Sequence, residues 1–190
     1  MLLGLALMLL VLPLKWVLAA TVAAAWHELC HIAAVKVCGG TFQSVSVGSG
    51  GTIMECALMN PGRETACILA GPCGSLLLMC FAVWFPRTAV CGFIHGLYNL
   101  IPVYPLDGGR ALRTVTFGLL SPEWAECICA IAAHTVKMLA VVFALVGTFA
   151  LDLGLIPVMI AGVLLFHMKR EKLLANFQDR GYNRATIVKR

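Results

Sequence analysis

The run "AAAWHELCHIAAVKV" places His27, Glu28 and His31 inside an otherwise apolar stretch. In a helix, residues four apart lie on one face, so the imidazoles of His27 and His31 can reach one metal ion while Glu28 sits beside them. This HExxH spacing suits zinc hydrolysis. Two neutral histidines ligate the metal, and the glutamate takes a proton from a water that coordination has acidified from a pKa near 16 to about 7. Such centres usually take three protein ligands and keep one position open, so a third ligand must come from elsewhere. The competing reading is that the three residues only hydrogen-bond inside a helix bundle. Against it, an ionisable group at the centre of a membrane span costs ~2.5–3.5 kcal/mol on insertion scales and usually marks function.

The candidate third ligand is Asp107 in "GLYNLIPVYPLDGGRALR". Pro102 and Pro105 break the helix before it and free backbone groups that need partners, which suits a water-accessible site. Gly108 and Gly109 admit the close approach of other backbone. Asp152 is a poorer choice, because the expected topology puts it on the opposite face. Asn99, two turns before Asp107, is a candidate for contacting substrate backbone or an oxyanion, or equally a helix-contact asparagine. Pro102 on the same stretch, and Gly50 and Gly51 in a glycine-rich turn, complete the candidate substrate-contacting residues. His95 is expected to be a core histidine with satisfied nitrogens. His134 and Lys137 should mark the interfacial end of a span, and His167 a headgroup contact.

The elements that must position these groups are apolar. Of 190 residues, 61% are hydrophobic and 12% charged, against roughly twice that charged fraction in a soluble domain. The expected fold class is an all-α polytopic membrane protein with about six transmembrane helices and a small membrane-associated β-hairpin between the second and third. Judged against the ~20 residues needed to cross hydrocarbon, the spans fall at approximately 1–14, 16–38, 65–86, 88–106, 134–151 and 155–168. They form one transmembrane domain over 1–170, followed by a basic cytoplasmic tail, 171–190. The opening "MLLGLALMLLVLPLKW" lacks the charged start of a signal peptide and is read as a short retained span. "SVSVGSGGTIM" reads as two strands joined by a glycine-rich turn, "LAGPCGSLLL" as a surface that a neighbouring helix can approach closely, and "SPEWAE" as the capped start of an interfacial helix preceding the fifth span.

The net charge of +5 is concentrated in the tail. In a membrane protein a basic terminus is an orientation signal before it is a nucleic-acid arm. With the tail cytoplasmic, six crossings put both termini there, together with Lys36, Arg63, Arg110 and Arg113, leaving Lys15 and Arg87 for the other face. The metal site then lies toward the cytoplasmic side. The nine cysteines are scattered through apolar segments and read as small hydrophobes in helix contacts.

HELCH followed by "NLIPVYPLDGG" resembles the site-2 protease family of intramembrane zinc metalloproteases, whose two motifs lie on separate spans. The resemblance implies one zinc ion per chain held by His27, His31 and Asp107, with Glu28 as general base. "GSGGT" and "ILAGP" also resemble the hairpin region and third span of the subgroup that cleaves a pro-sigma factor during sporulation. Two departures from that subgroup are expected: no CBS domain after the last span, and a short first span. Cys30 stands where HELGH has glycine, and zinc binding should survive that change. The implied partner is a membrane-tethered or membrane-associated protein substrate, with room for an inhibitory membrane partner and no nucleic acid. Two rivals remain at this point, a metal transporter and a non-proteolytic zinc-binding membrane protein. A transporter would need ligands distributed along a path through several spans, whereas here one cluster sits near one face.

Overall fold

A computed structural model describes residues 13–40, 42–48, 51–56, 60–152, 154–155 and 157–166, and backbone only for the two strands. All but the end of the expected first span, Gly50, the end of the sixth span, His167 and the basic tail lie outside the described residues.

Helix α1, Leu14–Val37, is rich in alanine and leucine, the best helix formers, and turns its small side chains inward: Ala19 and Ala23 are buried along with Val17, His27 and Val35. It ends at Gly39, whose φ of +74° is the left-handed conformation that commonly closes a helix. Strands β1 (Phe42–Gly48) and β2 (Gly51–Cys56) follow and pair antiparallel, Gly48 opposite Gly51. Helix α2 (Pro61–Leu77) starts at Asn60, whose side chain accepts from the Gly62 N–H at 3.0 Å, with proline at the first helical position. It continues through a 3-10 turn, Leu78–Phe81. Helices α3 (Pro86–Asn99), α4 (Asp107–Leu119) and α5 (Pro122–Leu145) come next, α5 running on through a π turn, Val146–Ala150. A short apolar helix, α6, spans Pro157–Phe166.

Among the described residues three helical segments are long and apolar enough to cross a membrane: Leu14–Val37, Pro61–Phe81 and Pro122–Ala150. The chain is a largely helical membrane protein. The third expected span thus begins at 61 rather than 65, because the Asn60–Pro61 cap starts the helix earlier. A second correction concerns the expected interfacial helix and fifth span. They are one continuous rod from Pro122, since no proline or glycine interrupts the sequence before Gly147.

Helices α1, α2 and α3 pack against one another, α4 lies along α2, and α5 lies against α4. Gly92 and Gly96 of α3 oppose the Pro72–Leu78 half of α2. Farther along, Thr114 donates to the Glu64 carboxylate at 3.5 Å and Gly118 packs on Pro61. Both α3 and α4 therefore run antiparallel to α2, as two successive helices separated by a break at residues 100–106. The expected span 88–106 ending at Asp107 is corrected accordingly: the helix stops at Asn99, and Asp107 opens a new one. Pro102 and Pro105 can supply no N–H to a helical ladder there. The break is covered by protein, with Val103 and Leu106 buried in a cluster with Ala140, Ala161 and Leu164, the condition under which irregular backbone survives at membrane depth.

Candidate metal centre

Helix α1 presents Trp26, His27, Cys30 and His31 to α2, and the antiparallel fit is fastened by three hydrogen bonds. The Trp26 indole Nε1 donates to the Gly74 carbonyl at 2.9 Å. His27 Nδ1 meets Ser75 Oγ at 2.9 Å, and His31 Nδ1 meets the Cys67 carbonyl at 2.9 Å. A carbonyl only accepts, so His31 Nδ1 carries the proton and a neutral ring offers its Nε2 lone pair to the other side. The His31 ring lies directly on Gly71, where any Cβ would overlap it.

Those Nε2 atoms point to the start of α4. His27 Nε2 is 3.1 Å from His31 Nε2 and 3.0 Å from Asp107 Oδ2, which in turn is 3.2 Å from His31 Nε2. Tetrahedral zinc with bonds of about 2.0–2.1 Å separates its ligand atoms by about 3.3 Å, so the triangle is nearly the right size for one ion. The chemistry of the donor set agrees. A carboxylate oxygen and two imidazole nitrogens this close need a proton or a cation among them, and a divalent metal satisfies all three at once. The cluster is screened from water, His27 being 2% and Asp107 8% exposed. The other carboxylate oxygen, Oδ1, faces Arg110 at 3.5 Å. Gly108 and Gly109 bring α4 hard against the break: a Cβ on Gly108 would overlap the Leu100 carbonyl, and one on Gly109 the Val103–Tyr104 peptide.

The remaining sequence candidates are distributed unevenly. Glu28 is half-buried next to His27 on α1 and makes no hydrogen bond or ion pair with a described residue. Asn99 lies at the end of α3 with its amide donating to the His95 carbonyl at 3.1 Å, a bond within its own helix. Pro102 is exposed in the break, and Gly51 opens β2. Asp152 sits exposed in the turn after α5. His95 departs from the expectation of a satisfied core histidine: its ring abuts that of His27, and no described residue hydrogen-bonds to it. His134 is exposed and Lys137 half-buried on α5. The eight cysteines whose side chains are described are all free thiols.

Sequence reasoning missed Ser75, Gly71 and the Cys67 carbonyl, the parts of α2 that receive the two histidines. The signal was present in "ILAGPCGS": Gly71 and Ser75 are four apart, matching the spacing of His31 and His27 on the facing antiparallel helix.

No family model matches the chain, and no curated protein matches it. Among solved structures, a site-2 protease from Methanocaldococcus jannaschii matches with a TM-score of 0.59 and 22% identity, over 87% of this chain and 82% of that one. The likeness extends over most of both chains, and the His27–His31–Asp107 cluster stands within a fold shared with a site-2 protease.

Proposed function

We propose that the chain is an intramembrane zinc metalloendopeptidase, hydrolysing peptide bonds of membrane-embedded or membrane-associated proteins. The observation that carries this reading is the convergence of His27 Nε2, His31 Nε2 and Asp107 Oδ2 within 3.2 Å of one another, next to Glu28 on the same helix. His27, His31 and Asp107 would hold the ion; bound zinc supplies Lewis-acid activation of a water and of the scissile carbonyl. Glu28 acts as general base, taking a proton from the attacking water and passing it to the amine nitrogen as the C–N bond breaks. That no described residue hydrogen-bonds to its carboxylate suits the role.

A helical substrate hides its peptide bonds and must unwind to be cut. The β1–β2 ladder offers a strand edge for the extended chain, and Asn99, Pro102, Gly50 and Gly51 are placed in this reading as its contacts. The further elements belong to the same proposal: six crossings, both termini cytoplasmic, and a substrate such as a membrane-associated pro-sigma factor under the control of an inhibitory membrane partner. Co-expression with such substrates, comparing wild type and Glu28→Gln, tests it. Cleavage lost in Glu28→Gln with zinc content retained is the expected result, and equal processing by both would sink the mechanism. Zinc flux into proteoliposomes without cleavage would favour the transporter reading instead.

A further inference from the structure

Beside the metal cluster stands a histidine that this chemistry does not use. His95 projects from α3, half-buried, with its ring centroid 4.7 Å from that of His27 and the two planes at 88°. The ring of His31 meets His27 at 4.8 Å and 80°. His27 is thus bounded by perpendicular rings from its own helix and from α3. Its Nδ1 is held by Ser75 and its Nε2 by the cluster. The ring turns only about its Cα–Cβ and Cβ–Cγ bonds, and such a turn carries Nε2 and its lone pair away from the point where His31 and Asp107 converge. Ser75 restrains the turn through a directional hydrogen bond, and the perpendicular His95 ring packed against His27 adds a steric limit to it.

We propose that His95 is a positioning residue, fixing the tilt of the His27 imidazole by packing rather than by ligation or proton transfer. The inference rests on the reading of His27 as a zinc ligand. Partners that orient a ligating histidine typically influence metal affinity by about 10–100-fold when mutated, and a packing contact belongs at the lower end of that range.

The test uses the full chain in detergent, titrated with zinc against a chromophoric chelator, and then loaded with cobalt to record its ligand-field absorption. His95→Ala is expected to weaken zinc about tenfold and to shift the cobalt bands. His95→Phe, which keeps a flat ring and removes both nitrogens, is expected to restore affinity and spectrum. Wild-type behaviour of His95→Ala would overturn the inference, and so would a His95→Phe variant with weakened zinc. If His95→Ala does not fold, His95→Phe decides alone on the same two readouts. A wild type that takes up no zinc would overturn the site reading itself, an outcome distinct from zinc-loaded wild type with an indifferent His95→Ala.

Discussion

The bond between His27 Nδ1 and Ser75 Oγ joins two fully enclosed groups, Ser75 being 0% and His27 2% exposed. Ser75→Ala keeps the volume nearly constant but leaves a buried ring nitrogen unpaired, at a cost of about 1–3 kcal/mol. Zinc affinity should fall about 10–100-fold, as for other groups that orient a ligating histidine. Chelator competition measures it, and an unchanged affinity would show that Ser75 does not orient the ring. Removing a ligand should act more strongly: Asp107→Ala is expected to leave the purified chain without stoichiometric zinc by elemental analysis. The two histidines and Asp107 could be read from the sequence because their types are costly in apolar surroundings and their spacing has few other uses. Ser75 and Gly71 left only a faint mark, a four-residue spacing equal to that of His27 and His31. A hydroxyl and a glycine are ordinary in a small-residue stretch, and only the facing helix reveals what they receive.

At the scale of elements, the site depends on an interruption. Helix α3 stops at Asn99, the segment 100–106 turns with Val103 and Leu106 buried, and α4 begins with Asp107 in its first turn, where the partial positive charge of a helix N-terminus favours a carboxylate. Gly109 has no room for a side chain, because a Cβ there would meet the backbone of Val103 and Tyr104. Gly109→Ala should therefore push the start of α4 off the break and carry Asp107 with it. The expected outcome is a loss of both zinc content and thermal stability, with overpacking contributing about 1–3 kcal/mol; a variant with wild-type melting and zinc would contradict this. The prolines announced the break, but hydropathy alone ran the span on to residue 106. Periodicity likewise divided Pro122–Ala150 in two, because polar His134 and Lys137 mimic a boundary that the backbone, lacking proline or glycine there, does not make.

On the scale of the whole molecule, the antiparallel packing of α1 with α2 sorts the charges into two ends. Lys36 closes α1 where Arg63 opens α2, whereas Lys15 and Trp16 begin α1 at the end where Trp84 and Arg87 join α2 to α3. At 1.5 Å per residue, His27 lies about 20 Å from the start of α1 and His31 about 9 Å from its end, so the metal cluster sits nearer the Lys36–Arg63 end. The orientation proposed above puts this Lys36–Arg63 end on the cytoplasmic side. Among the described residues little packs on α5, only 6% of the most apolar window of Pro122–Ala150 being buried. The 29 residues of Pro122–Ala150 extend about 43 Å against about 30 Å of hydrocarbon, so a crossing by this rod must tilt or leave one end projecting. In a cysteine-free background, Lys36→Cys and Arg87→Cys should react with a membrane-impermeant maleimide from opposite sides, Lys36→Cys only once the cytoplasmic face is opened. Labelling of both from one side would refute the assignment of the two ends. Labelling of Lys36→Cys in intact cells, with Arg87→Cys protected, would invert the orientation and move the proposed substrate to the other face of the membrane.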